Sequence, residues 1–226
     1  RALRDHDIQY APLPGTPDLR AAISQQWGTQ GNREPDPDTE ITVTAGCTEA
    51  IAATCLGMLN PGDEVILFEP FYDSYRACIA LADAKPTFVQ IKRATDPLTN
   101  TDRYTFDPNH LAEAFTPNTR AILLNTPHNP TGSAFTRAEL QLIADLCTKH
   151  DTVAISDEVY ERLDFNPARP HISIASLPSM ADRTITLSSL GKTFSMTGWK
   201  IGWAIAPPHL TAAVRAAHQF LTFAVA

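Results

Sequence analysis

The sequence contains no apolar run of the length a membrane-spanning helix needs, which is about 20 residues. It also opens without the basic and apolar pattern of a signal peptide. Lys and Arg number 18 against 25 Asp and Glu, and they are scattered, so the net charge of −7 argues against a nucleic-acid partner. These absences predict a cytoplasmic protein that binds neither membranes nor nucleic acids.

Cysteine is scarce and follows no metal-binding or redox pattern. None of the four cysteines, at positions 47, 55, 78 and 147, forms a C-x-x-C pair. Three of them lie in apolar segments, which favours buried free thiols in a reducing compartment. The sequence therefore predicts no metal site, and it shows no internal repeat or low-complexity segment.

Short apolar, β-branched runs alternate with helical patterns along most of the chain. This alternation is typical of a largely parallel sheet covered by helices, so we expect an α/β fold, a three-layer αβα sandwich. A polar loop is predicted from residue 92 to Arg103. The predicted strands cover residues 41–44, 64–68, 87–91, 120–124, 153–156, 184–187 and 201–206. The first predicted helix starts after a Thr16 cap and runs to Trp27. The other predicted helices run from about 47 to 59, from 108 to 115, from 136 to 150 and from 208 to about 223.

Polar side chains gather where five of these strands end. The segments are 45–48, 69–75, 125–132, 157–160 and 188–192. In an open α/β sheet, ligands bind in the crevice outside the carboxyl ends of the strands. Phe71 and Tyr75 in the second segment fit core packing equally well.

One stretch, Ser188 to Lys200, places a lysine on each side of a turn rich in hydroxyl groups. One lysine can form a Schiff base with a carbonyl compound. The other, with hydroxyls and backbone N–H groups, can hold a phosphate. Pyridoxal phosphate carries both an aldehyde and a phosphate, so it is the cofactor that we predict.

Three motifs carry a family resemblance: Asn125 to Gly132, Ser156 to Tyr160, and Gly191 to Lys200. With them, essentially the whole chain resembles the class I and II aminotransferases, which have the aspartate-aminotransferase fold. The likeness is greatest to the branch of kynurenine, glutamine and methionine aminotransferases. The resemblance implies a pyridoxal-phosphate-dependent homodimer whose active sites are shared between subunits.

The resemblance also implies residue roles. Lys192 would be the Schiff-base lysine and proton shuttle, Asp157 would pair with the pyridine nitrogen, and Tyr160 would hydrogen-bond the ring oxygen, so these three are the expected catalytic residues. Tyr10 is expected to reach the phosphate of a neighbouring subunit. The other expected cofactor-binding residues are Gly46, Cys47, Thr48, Tyr72, Asn125, Asn129, Ser189 and Lys200. From the residues alone, Asp157 also fits a helix N-cap.

The family pattern divides the chain unequally. Residues 1–16 are expected to form an irregular segment near the dimer interface, 17–207 the large cofactor-binding domain, and 208–226 the start of a helix that links to a small domain. In the family that small domain carries an arginine for the substrate carboxylate, and Arg215 does not match it. We therefore expect the sequence to be a fragment without most of its small domain.

The substrate side of the site is aromatic. Phe71, Tyr72 and Phe223 predict an amino donor with a large apolar, sulfur-containing or aromatic side chain, with methionine, glutamine, kynurenine and phenylalanine all open. A 2-oxo acid would receive the amino group. Two alternatives stay open: a carbon–sulfur β-lyase acting on cystathionine or cysteine S-conjugates, and a non-catalytic effector-binding domain of a transcription regulator.

Overall fold

A single eight-stranded sheet forms the centre of the computed structural model, which describes residues 10–95, 102–163 and 170–225. The strand order is β1-β8-β7-β6-β5-β2-β3-β4. The strands are β1 (Ile41–Ala45), β2 (Glu64–Glu69), β3 (Lys85–Thr95), β4 (Asp102–Phe106), β5 (Thr119–Asn125), β6 (Val153–Asp157), β7 (Thr184–Ser189) and β8 (Ile201–Ile205).

Helices cover both faces of this sheet. They are α1 (Pro17–Gly28), α2 (Gly46–Met58), α3 (Ser74–Leu81), α4 (Pro108–Glu113), α5 (Arg137–His150), α6 (Leu190–Thr193) and α7 (Pro208–Leu221). Short 3-10 turns lie at Ile174–Ser176, Ala181–Arg183 and Thr197–Trp199.

Five neighbouring strands, β7, β6, β5, β2 and β3, run parallel. Strand β8 is antiparallel to both β1 and β7, and β4 is antiparallel to β3 at the other edge. The predicted α/β sandwich with a mostly parallel sheet is confirmed.

The two faces of the sheet bury alternate residues of each strand, as the period of a strand requires. In β2, Val65 and Leu67 enter a core shared with α2, α3 and α7, whereas Ile66 and Phe68 enter a second core with α4 and α5. A third cluster joins α1 to β1 and β8 through Trp27 and its neighbours. Because both faces are covered, continuous apolar runs were the right signal for these strands.

Several predicted boundaries were wrong. Residues 102 and 103 belong to strand β4 rather than to a polar loop, and β3 extends to Thr95. Helix α3 was missed, because its eight residues directly follow the aromatic strand end. Thr16 precedes α1 but makes no side-chain cap, and α4 and α7 end at Glu113 and Leu221, two residues short of the predicted ends.

The predicted division into three segments stays a prediction. Residues 1–9, 96–101, 164–169 and 226 lie outside the described part of the chain, and so does most of the expected N-terminal segment. Within the described ranges no helix combines the length and the apolar character needed to cross a membrane.

Candidate active site

A cavity of about 250 Å³ opens at the carboxyl edge of the parallel strands. A water molecule occupies about 30 Å³ in the liquid, so this volume suits a small organic molecule rather than a single ion. All the predicted site residues except Tyr10 line it: Gly46, Cys47, Thr48, Tyr72, Asn125, Asn129, Asp157, Tyr160, Ser189, Lys192 and Lys200. The five strand ends that the sequence singled out therefore meet in one place.

Asp157 forms the buried floor of the cavity, with an exposed fraction of 3%. The Tyr75 hydroxyl donates to its Oδ2 at 2.7 Å, and the Val159 N–H donates to its Oδ1 at 3.1 Å. The Cys47 thiol lies 3.5 Å from the same Oδ1. Asp157 ends β6 and starts no helix, so the alternative of a helix N-cap was wrong.

Burial raises the pKa of the Asp157 carboxyl above its usual value, although the hydrogen bonds from Tyr75 and Val159 oppose this shift. Burial and the nearby Asp157 raise the pKa of Tyr75 and that of Cys47 well above their usual values, so both groups stay protonated and can donate. Among the described residues no basic side chain forms an ion pair with Asp157. The carboxylate is thus arranged to receive a cationic N–H group from the cavity.

Lys192 approaches the cavity from α6, directly after β7. Its Nζ lies 5.8 Å from the centroid of the Tyr160 ring, within the range of a cation–π contact. The Tyr160 hydroxyl accepts a long hydrogen bond of 3.4 Å from Asn129 Nδ2. Burial, followed by the charge of Asp157, raises the pKa of Tyr160, so its hydroxyl also remains protonated.

Asn125 holds the loop that carries Asn129. Its Nδ2 donates to the carbonyl oxygen of Asp157 at 3.0 Å, and its Oδ1 accepts from the Asn129 N–H at 2.7 Å. Side-chain amides thus join the ends of β5 and β6, which lie side by side in the sheet. Asn125 therefore fixes the backbone of Asn129 beside the end of β6.

The part of the cavity at the start of α2, which we call its phosphate end, has the donors and the positive charge that an anion needs. Helix α2 begins there with Gly46, Cys47 and Thr48, and Ala45 offers no side chain to cap its first N–H groups. Free N–H groups and the positive end of the helix dipole favour a phosphate. Ser189, which ends β7, and the ammonium of Lys200 complete this end of the cavity.

Gly202 allows α2 to start so close to the sheet. A Cβ at this position would lie 2.4 Å from the carbonyl carbon of Gly46 and 2.6 Å from the backbone nitrogen of Cys47. Gly46 itself has a φ of +74°, and a Cβ on it would lie 3.6 Å from Lys200 Nζ. Gly202 thus lets the start of α2 pack directly on β8, and Gly46 brings the backbone of this turn next to the Lys200 ammonium.

Of the four aromatic residues that the sequence placed at the ligand, Tyr10, Phe71, Tyr72 and Phe223, one lines the cavity and three lie outside it. Tyr72 lines the cavity, whereas Phe71 stacks on Phe88 at 5.6 Å and packs against the core. Tyr10 is 84% exposed and contacts the Phe223 ring edge-on at 5.3 Å. The structure therefore places neither Tyr10 nor Phe223 in the cavity of their own chain.

A profile of the family described as aminotransferase class I and II matches residues 4–226. The chain belongs to this family. It is 47% identical over 221 residues to rat kynurenine–oxoglutarate transaminase 3, a match that covers 96% of this chain and 48% of the relative. The chain thus spans about half the length of the curated relatives it matches.

Solved structures of other aminotransferases superpose closely on this family member. An N-succinyldiaminopimelate aminotransferase from Mycobacterium tuberculosis has a TM-score of 0.91 at 46% identity, and covers 99% of this chain and 56% of its own. A methionine aminotransferase from Escherichia coli has a TM-score of 0.87 at 39% identity, and the match covers 96% of this chain and 55% of that one. The predicted family and its fold are confirmed.

The aminotransferase class I and II family depends on pyridoxal phosphate, and the cavity of this member fits that cofactor. The buried Asp157 carboxylate suits a protonated pyridine nitrogen, and the uncapped start of α2 beside Lys200 suits the phosphate. Lys192 offers the primary amine that the aldehyde requires. The cofactor predicted from the sequence is therefore supported by the donor set as well as by the family.

Sequence reasoning missed two residues of this site. Tyr75 was left open between core packing and a place at the ligand-binding edge, without a role for its hydroxyl, and Gly202 was not singled out. A buried tyrosine needs a hydrogen-bond partner, so the hydroxyl of Tyr75 was the available signal. For Gly202 the signal was a glycine inside a predicted strand, which often marks a close backbone approach.

Proposed function

We propose that the protein is a pyridoxal-phosphate-dependent aminotransferase. It would move the amino group of an amino acid with a large apolar, sulfur-containing or aromatic side chain to a 2-oxo acid. The observation that supports this proposal is that Lys192, Asp157 and the start of α2 line one cavity, which brings together an amine, a carboxylate and uncapped N–H groups.

The cofactor, when bound, supplies an aldehyde that bonds to an amine and a ring that accepts the electron pair released from the substrate Cα. Asp157 would hold the ring nitrogen in its protonated state, with Tyr75 and Val159 keeping the carboxylate in place. Lys192 Nζ would take the proton from the substrate Cα and later deliver it, as a general base and then a general acid. Tyr160 and Asn129 would orient the ring oxygen.

The substrate class is supported by aromatic surface and by relatives. Tyr72 presents a ring to the cavity. Relatives named for kynurenine and methionine support a large apolar, aromatic or sulfur-containing donor, whereas the one named for N-succinyldiaminopimelate points to a longer polar chain. Methionine, glutamine, kynurenine and phenylalanine are the donors to assay first.

We further propose a homodimer in a cytoplasmic setting. Tyr10 is 84% exposed and its ring contacts that of Phe223, and its hydroxyl would reach toward the phosphate site of a second copy. The four cysteines are unpaired, which supports a reducing compartment.

The first experiment is borohydride reduction after incubation with pyridoxal phosphate, followed by peptide mass mapping. We expect a pyridoxyl adduct on Lys192. The Lys192→Ala variant should lose this adduct, whereas Lys200→Arg should keep it at a reduced occupancy. Adducts spread over surface lysines in the wild type would contradict the proposal.

A second assay separates the proposed reaction from β-lyase activity. An aminotransferase needs a 2-oxo acid acceptor for every turnover, so product formation from each donor should stop when the acceptor is left out. Pyruvate released steadily from cystathionine without an acceptor would favour the lyase.

A further inference from the structure

A buried ion pair lies directly behind the start of α2. His218, on α7, has no exposed surface, and its Nδ1 lies 2.6 Å from Glu49 Oε1. Its Nε2 lies 2.9 Å from the carbonyl oxygen of Leu13. A carboxylate and a carbonyl can only accept, so both ring nitrogens must donate and the ring is an imidazolium.

The pKa values of both partners shift in the direction that keeps the pair charged. Burial alone would lower the pKa of His218, but the hydrogen bonds to Glu49 and Leu13 raise it above its usual value. Burial alone would raise the pKa of Glu49, but hydrogen bonds from His218, the Ala45 N–H and Thr222 lower it. Both shifts favour the ionised pair.

This ion pair is connected to the backbone of the phosphate end of the cavity. Glu49 lies in the first turn of α2, and its Oε2 accepts a hydrogen bond from the N–H of Ala45, the residue just before Gly46. The Thr222 hydroxyl also donates to Glu49, at 2.8 Å. Glu49 therefore fixes the point at which the chain turns from β1 into α2.

The location of Glu49 creates an electrostatic conflict that His218 resolves. A carboxylate in the first turn of α2 would repel a phosphate bound at the N–H groups of the same turn. Its neutralisation by a buried imidazolium removes this repulsion, while its hydrogen bond to Ala45 remains.

We propose that Glu49 and His218 are positioning residues for the cofactor phosphate: the carboxylate holds the start of α2, and the imidazolium cancels its charge. This inference rests on the proposed cofactor. It assigns a role to residues that lie outside the cavity and touch neither the reacting atoms nor the ring.

The pair should make phosphate affinity depend on pH. His218 has a raised pKa in the folded protein, so its charge is present at low and neutral pH and is lost as the pH rises through that pKa. Among the described residues, the charged groups that face it are Glu49 from α2 and Arg215 from its own helix, and Arg215 is itself hydrogen-bonded to Thr42 and the Ile41 carbonyl. Loss of the ring proton would break one hydrogen bond and leave the Glu49 charge uncompensated.

The test compares two ligands that lack the aldehyde, so that it does not depend on Lys192 chemistry. 4-Deoxypyridoxine 5′-phosphate carries the ring and the phosphate, and 4-deoxypyridoxine carries the ring alone. Dissociation constants are measured by calorimetry from pH 6 to 10 for the wild type, His218→Gln, Glu49→Gln and the double variant. His209→Gln, which changes an exposed histidine on the same helix, is the matched control.

We expect His218→Gln to weaken binding of the phosphorylated ligand about tenfold or more at pH 7. Binding of the unphosphorylated ligand should weaken less than twofold. Glu49→Gln keeps an acceptor for Ala45 but removes the charge, so it should bind the phosphorylated ligand well and lose the wild-type fall in affinity at high pH. The double variant should behave like Glu49→Gln, because no charge is left to cancel.

Equal weakening of both ligands by His218→Gln would show a purely structural role and overturn the proposal. If His218→Gln does not fold, the Glu49→Gln profile decides, since an unchanged pH dependence there contradicts the charge argument. A wild type that binds neither ligand would instead overturn the proposed cofactor, and this inference with it.

Discussion

Asp157 is the residue on which the chemistry of the site depends. A carboxylate that is 3% exposed is costly to keep ionised, and burial raises its pKa accordingly. Tyr75, Val159 and Cys47 surround it with donors but supply no positive charge. A cationic ring nitrogen would supply that charge, so ligand binding and ionisation of Asp157 should be coupled.

We expect Tyr75→Phe to weaken pyridoxal phosphate binding about tenfold or more, because it removes the 2.7 Å hydrogen bond to Asp157 Oδ2. Hydrogen bonds to charged groups contribute roughly 1.5–3 kcal/mol, and about 1.4 kcal/mol corresponds to a factor of ten. Absorbance titration of the cofactor-free protein measures the affinity.

Tyr72→Phe is the control for this substitution, since it removes a hydroxyl from the same cavity and leaves the hydrogen bonds of Asp157 intact. Equal affinities for Tyr75→Phe and Tyr72→Phe would show that the Tyr75 hydrogen bond does not support the carboxylate.

At the residue scale, sequence predicted the side chains that face a ligand better than those that support them. Lys192 and Asp157 stand in motifs at strand ends, where a ligand role is the simplest explanation. Tyr75 lies at such an end too, but its partner is 82 residues away in sequence. Glu49 and His218 are 169 residues apart, and no local pattern marks their contact.

The contact between β8 and the start of α2 is the element on which the phosphate end of the cavity depends. Gly202 pairs with Thr44 on one side and with Ser189 on the other, so it lies between two strands, against the first turn of α2. Any side chain there must displace either the strand or the helix.

We expect Gly202→Ala to reduce cofactor affinity at least tenfold and to lower the free energy of unfolding by about 1–3 kcal/mol, as overpacking in a core does. The added Cβ would lie 2.4 Å from the carbonyl carbon of Gly46, a backbone atom that cannot rotate away. Urea unfolding and cofactor titration measure the two effects.

Gly198→Ala is the matched control, because a Cβ at Gly198 would meet no other atom within 4 Å. It should leave both quantities close to the wild-type values. Should Gly202→Ala behave like Gly198→Ala, the close approach of α2 to β8 would not be what sets the phosphate site.

Elements with strong local patterns were predictable, and those without were not. The buried strands β2, β5 and β6 contain continuous apolar runs, and α5 carries a complete capping box of Thr136 and Glu139. The edge strand β4 alternates exposed polar residues with few apolar ones, so it resembled a loop. The short helix α3 owes its position to tertiary packing of Tyr75, Cys78 and Ile79 rather than to a cap.

At the scale of the whole molecule, a second polar cluster ties β6 to the segment that precedes β7. Glu158 is fully buried and accepts hydrogen bonds from Ser156 at 2.9 Å, Ser173 at 2.8 Å and His171 at 2.7 Å. Burial, with the charge of Glu158 nearby, raises the pKa of Glu161 from 4.5 to about 7. Between these two pH values, Glu161 is therefore mostly protonated in the folded protein and mostly ionised in the unfolded chain.

This proton gives the stability of the fold a defined dependence on pH. Between pH 4.5 and about 7 the folded state holds more protons at Glu161 than the unfolded state, so its contribution to stability falls as the pH rises. Glu161→Gln mimics the protonated form. We expect its urea midpoint to match the wild type near pH 4 and to exceed it at pH 8.

Glu113→Gln, at the exposed end of α4, controls for the loss of one negative charge. If both glutamine variants gain stability equally at pH 8, the gain would come from net charge rather than from the burial of Glu161.

The reversed direction of β8 has a consequence for how the site can change during evolution. Because β8 runs against β7, its first residue lies at the same edge as the last residue of β7, and residues 190–200 leave the sheet and return to it there. Ser189 and Gly202 remain cross-strand neighbours whatever the loop between them contains. Changes within residues 193–199 would therefore leave Lys192 and Lys200 at the same edge of the sheet, because the strand pairing sets where this segment leaves the sheet and where it returns.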